Sequence, residues 1–135
     1  MTGETGNILE LPDPDSWGCS VTHLAKGHGL LTIDLINRGV THQAKGLEFT
    51  HVDYFSGWTA WKGADFRIGT DQEFVELIRR IAPRYESVSE HDLLNTHPFD
   101  TTRLYICKTA QGDLIYINAM GGRTFDADNN TIVEA

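Results

Sequence analysis

Apolar and polar residues alternate with a period of two from Trp17 onward. The period changes to about 3.6 for one stretch near residue 74, then returns to two in the last third. In LLTIDLIN (30–37), Leu31, Ile33 and Leu35 point one way and Thr32 and Asp34 the other, the signature of a half-buried strand that Asn37-Arg38-Gly39 ends. LEFTHVDYF (47–55) predicts a second strand. WTAWKGADFRI (58–68) predicts a third, with Ala64, Phe66 and Ile68 opposed to Asp65 and Arg67.

The helical period begins behind Thr70-Asp71-Gln72-Glu73, a hydroxyl followed three residues later by a carboxylate, which is the form of a capping box. Phe74, Leu77, Ile78 and Ile81 make one apolar stripe, acids occupy the first turn, Arg79 and Arg80 occupy the last, and Pro83 stops the run. A long amphipathic helix over about 70–82 follows. Ser89 to Asn95 has the make-up of a short second helix (about 89–95) ended before Pro98. RLYICKT (103–109) and DLIYINA (113–119) flank Gln111-Gly112 as a hairpin, and RTFDA (123–127) and TIV (131–133) form a last pair around Asp128-Asn129-Asn130. Short connections favour antiparallel neighbours, and a helix with one apolar stripe covers one sheet face. The predicted fold class is α+β: a twisted antiparallel sheet or half-barrel with the long helix packed on it.

THLAKG (22–27) returns as THQAKG (41–46). Lys-Gly frees the backbone for positive φ where a hairpin reverses, so the repeat predicts two successive strand–turn–strand units. The competing reading places His23 and His42 at equivalent points of a shared site. One duplication is too short for a solenoid.

A chain of 135 residues, 40% hydrophobic, is long enough for one domain with its own core. Residues 17–135 are read as that domain. Residues 1–16 are read as a flexible acidic tail in which ILEL (8–11) can pin back to the body. The net charge of −8 argues against nucleic acid and anionic membrane as direct partners and favours a basic one. The charge is concentrated. Glu4, Glu10, Asp13 and Asp15 give −4 to residues 1–16; Glu86, Glu90, Asp92 and Asp100 give −4 to 86–100; Asp113, Asp126, Asp128 and Glu134 against Arg123 give −3 to 111–135. The start shows no charged-then-apolar signal pattern, no stretch approaches the ~20 apolar residues of a membrane helix, and there are two cysteines, Cys19 and Cys107. A cytoplasmic setting with free thiols is the expectation.

His51 and Asp53 are two apart. On one strand they share a face with Leu47, Phe49 and Phe55, where an imidazole beside a carboxylate can serve as general base and orienter; a satisfied structural histidine is the competing expectation. Together with His23 and His42 this gives the catalytic alternative, a small enzyme or ligand-binding half-barrel. Glu90-His91-Asp92 and His97 lack the spacing that converges ligands on one ion. Asp126, Asp128 and Asn130 begin like a calcium loop, but Thr131 stands where Gly is required and no glutamate follows at the twelfth position. No metal site and no cofactor motif is therefore expected. Gly121-Gly122 has no helix start behind it and reads as a bend. Cys107 lies mid-strand, a position of inert packing.

Trp58 and Trp61 are three apart, so on a strand they face opposite ways and at least one is exposed. Exposed Trp and Tyr anchor interfaces. The leading functional expectation is a small acidic protein-binding module that covers a basic partner. Trp58, Trp61 and Tyr54 would be its anchors, with Glu86, Glu90, Asp92, Asp113, Asp126 and Asp128 as the steering charges. Inhibitors and immunity proteins that neutralise basic toxins or nucleases share this size and charge, an analogy of type that no motif carries.

Overall fold

The computed structural model describes residues 8–11, 13–25, 29–37, 43–96, 99–126 and 132–134. Two antiparallel sheets form the frame. β1 (Trp17–Ala25), β2 (Leu30–Asn37) and β3 (Gln43–Thr50) make a meander in which Val21, Ile33 and Leu47 stand side by side. β9 (Gly121–Asp126) and β10 (Ile132–Glu134) extend it beyond β3, and β5 (Ala60–Lys62) closes the other edge against β1. The six-stranded order is β10-β9-β3-β2-β1-β5. The second sheet is four-stranded, in the order β4 (Tyr54–Ser56), β8 (Leu114–Ala119), β7 (Arg103–Lys108), β6 (Asp65–Ile68).

The α+β expectation holds, but two sheets replace the one sheet or half-barrel, because two stretches read as single strands are each broken between sheets. The run 47–55 stops at Thr50: His51 takes a left-handed φ of 52°, Val52 N–H donates to Gly29 O at 2.6 Å, and the chain resumes as β4 in the other sheet. The run 58–68 is broken at Gly63, whose φ is 107°; β5 before it belongs to the six-stranded sheet and β6 after it to the four-stranded one. A β-carbon on Gly63 would stand 2.4 Å from Ala110 N, so only glycine permits this corner.

Local signals mark the helices well. α1 (Asp71–Ile81) has the complete capping box: Thr70 Oγ1 accepts from Glu73 N–H at 3.1 Å, and Glu73 Oε1 accepts from Thr70 N–H at 2.9 Å. Glu73 also takes a two-pronged 2.7 Å ion pair from Arg67 of β6, tying helix to sheet. α2 (Glu90–Leu94) is capped by Ser89. The 113–119 hairpin partner pairs as expected, Cys107 opposite Ile115.

The core has two compartments. Leu31, Ile33, Leu35 and Phe49 of the six-stranded sheet pack with Phe66, Tyr105, Cys107 and Ile117 of the other. On the far face of the four-stranded sheet, Leu104 and Ile106 pack with Phe74, Val75, Leu77, Ile78 and Leu93 of the helices. β7 is therefore the middle of a three-layer stack. Its four central residues are all buried, with alternate side chains serving different compartments. From Ile8 the acidic N-terminal stretch is attached: Ile8 N–H donates to Phe66 O at 2.8 Å and Leu11 is buried.

The repeat is not two turns. In its second copy Lys45 and Gly46 lie inside β3, Gly46 between Asp34 and Phe125, while in the first copy Lys26-Gly27 fall outside the described residues between β1 and β2. Nor are Gly121-Gly122 a bend. They open β9, where the missing side chain at Gly122 admits the Phe49 ring; a β-carbon there would meet it at 2.8 Å.

Candidate functional site

The residues singled out in the sequence separate into distinct places. His23 is exposed on β1 opposite Thr32, and His51 is exposed at the β3–β4 break. The expected His51–Asp53 pair on one strand face is thus corrected, since positive φ at His51 interrupts the strand. His42, His97 and Asp128 lie outside the described residues, as does the side chain of Asp126. Glu86, Glu90 and Asp92 are exposed on the helical layer. Among the described residues no group of three His, Cys, Asp or Glu side chains is placed to hold a metal ion, and no helix is long and apolar enough to cross a membrane.

Trp58, Trp61 and Asp113 do come together. They line a depression of about 330 Å³ with Lys62, Thr109 and Gln111. Trp61 is half-buried and fixed, its Nε1–H donating to Gly63 O at 2.8 Å. Trp58 precedes β5 on the loop from β4 and is 64% exposed. Gly57 before it lies against Ile115, whose Cδ1 would be 2.4 Å from a β-carbon, so this turn needs glycine. Asp113 is positioned by its own turn, its N–H donating to Thr109 Oγ1 at 3.0 Å.

Tyr54 and Asp53 belong elsewhere. They line a pocket of about 340 Å³ between α1 and the four-stranded sheet. Its apolar wall is Phe74, Leu77, Ile78 and Phe99, and Tyr85 and Arg84 stand at one side, with the Arg84 guanidinium 4.8 Å from the centre of the Tyr85 ring. At its polar end is Asn118 of β8, 4% exposed. The Asn118 Nδ2 group donates to Asp53 Oδ1 at 2.7 Å and to Thr102 Oγ1 at 3.1 Å, which uses both of its hydrogens. The carboxylate, an acceptor when ionised, fixes which way the amide is turned. Asn118 Oδ1 is then buried with no hydrogen-bond partner among the described residues, a cost of about 1–3 kcal/mol for a group of this kind. Burial pushes the Asp53 carboxyl above its ordinary range, opposed by the hydrogen bonds from Asn118 and from the Asp53 backbone.

Asn118, Arg84, Tyr85 and Phe99 are functional candidates that pattern reading passes over. Asn118 carried one signal: asparagine is depleted in strands, and LIYINA is otherwise apolar apart from a tyrosine hydroxyl. The outer face of the six-stranded sheet has a larger hollow of about 730 Å³, an open one in which Gly18, Ser20 and Ala60 leave room beside Asp34 and Lys62. No protein-family model matches the chain, and no curated protein or solved structure matches it.

Proposed function

We propose that this protein is a small acidic binding module of the cytoplasm that docks on and covers a basic protein, in the manner of an inhibitor or immunity protein acting on a toxin or nuclease. The observation that carries the reading is Trp58, a large apolar ring 64% exposed beside a second, immobilised indole and a carboxylate. Rigid aromatic anchors set the off-rate of an interface, and charges around them set the on-rate. Asp113 provides the near negative charge, in a depression that Lys62 also lines. The net −8, with Glu86, Glu90 and Asp92 exposed on the helical layer, provides the long-range attraction. Two buried thiols, Cys19 and Cys107, both free, are consistent with a reducing compartment.

The test is affinity capture on immobilised full-length chain from the source cells at low and high salt, run in parallel with Trp58→Ala. The expected result is a basic protein retained at low salt and weakened at least tenfold by Trp58→Ala, with association slowing steeply as salt rises. Capture that is indifferent to both salt and Trp58, or no captured basic protein, removes the reading.

A further inference from the structure

The pocket under α1 makes specific chemical demands that a protein-docking role at Trp58 leaves unmet. Asn118 of its lining carries a buried acceptor, Oδ1, that lacks a donor among the described residues. Beside it stands Asp53, whose Oδ1 accepts from Asn118 Nδ2 and whose carboxylate is exposed to the pocket side. Two neighbouring acceptors, one of them a carboxylate, ask for a group with several N–H donors and positive charge. Arg84 lines the same pocket, is exposed, and has no ion-pair partner among the described residues. A guanidinium in that position asks for a carboxylate. The rest of the lining includes Phe74, Leu77 and Ile78, and the pocket volume of about 340 Å³ is at the small end of the range of small-molecule sites.

We propose that this pocket binds a small zwitterion with an apolar side chain, of which an α-amino acid such as leucine or phenylalanine is the simplest form. The ammonium group donates to Asn118 Oδ1 and Asp53, the carboxylate meets Arg84, and the side chain lies on Phe74, Leu77 and Ile78. Each group answers one demand of the site. The ammonium satisfies the orphaned acceptor, and its charge pairs with the Asp53 carboxylate, whose partial desolvation a cation offsets. Asp53 acts here as a binding residue, a role that does not need His51.

An NMR titration of the full chain, following amide resonances of Asp53, Leu77 and Asn118, tests the assignment. L-Phenylalanine and L-leucine at millimolar concentration are expected to shift these resonances saturably. N-acetyl-L-phenylalanine, which lacks the ammonium, phenethylamine, which lacks the carboxylate, and glycine, which lacks the side chain, are each expected to bind at least tenfold more weakly. Asp53→Asn is expected to weaken phenylalanine at least tenfold while leaving distant resonances in place. Arg84→Ala should erase the preference for phenylalanine over phenethylamine. The proposal is overturned if neither amino acid moves these resonances saturably, or if N-acetyl-L-phenylalanine or phenethylamine binds as tightly as phenylalanine. Trp58→Ala should leave the titration unchanged, and Asp53→Asn should leave capture of a basic protein unchanged, so the two sites stand or fall separately.

Discussion

At Gly63 one residue sets the relation between the two sheets. Its φ of 107° turns β5 into β6, its N–H donates to Trp17 O at 2.7 Å, and its carbonyl accepts from Trp61 Nε1–H and from the thiols of Cys19 and Cys107. An alanine there faces two penalties: a conformation that side chains resist, and a β-carbon 2.4 Å from Ala110 N. Gly63→Ala is expected to cost about 2–6 kcal/mol, combining about 1–3 for the dihedral and about 1–3 for overpacking. Gly112, at the tip of the β7–β8 hairpin, supplies the control. Its φ is 93° but a β-carbon meets nothing within 4 Å, so Gly112→Ala should cost about 1 kcal/mol from conformation alone. Urea unfolding of both variants separates the terms; equal losses would show that the Ala110 contact relaxes freely and does not hold the corner. The same residue scale explains what the sequence concealed. Nothing local distinguishes Gly63 from Gly46, which sits inside β3, and the Asn118–Asp53 hydrogen bond joins residues 65 apart in the chain.

Among the elements, α1 was legible almost to the residue, predicted over 70–82 and found over Asp71–Ile81, because its cap, stripe, dipole charges and terminating proline all lie within fourteen residues. The sheets were legible as strands but not as a partition. Alternation tells which residues share a face, not which sheet a strand joins; one break depends on His51 reaching a left-handed φ and Val52 finding Gly29 across the fold, the other on the positive φ of Gly63. The link between α1 and β6 also crosses elements, and it carries a pH signature. Arg67 holds Glu73 well below its ordinary value, at about 2 against 4.5. A folded pKa depressed in this way contributes stability that is complete above about 4.5 and lost as pH falls toward about 2. The pair is about a third exposed, which limits its worth to about 0.5–1 kcal/mol despite the size of the shift. In Glu73→Gln the side-chain oxygen can still accept from Thr70 N–H, so the cap survives and only the ion pair is lost. The variant should be less stable than the parent by about that amount at neutral pH, and urea titrations at stepped pH should show the gap closing by about pH 2. A gap that persists there would place the loss in the cap.

For the whole molecule, the question is whether the three layers open together. Cys19 on β1 and Cys107 on β7 face each other across the inter-sheet core, 3% and 0% exposed, and both thiols donate to Gly63 O, at 3.4 and 3.5 Å. Burial pushes the Cys107 thiol up to about 12 and raises Cys19 as well, so almost no thiolate exists at pH 8 while both stay buried. Separation of the six-stranded sheet from the four-stranded one exposes both sulfurs at once. Neither thiol should therefore react with a thiol-specific disulfide reagent in native buffer on the timescale of free cysteine, and both should become reactive together as urea is raised, with the same denaturant dependence. If Cys19 reacted first, the six-stranded sheet would be peeling from its β5 edge without the helical layer moving; if Cys107 did, β7 would be leaving the centre of the stack. Simultaneous labelling is the result the shared carbonyl predicts. Because Gly63 O also accepts from the Trp61 indole, the same opening should release Trp61, and its fluorescence change should coincide with thiol exposure in one transition.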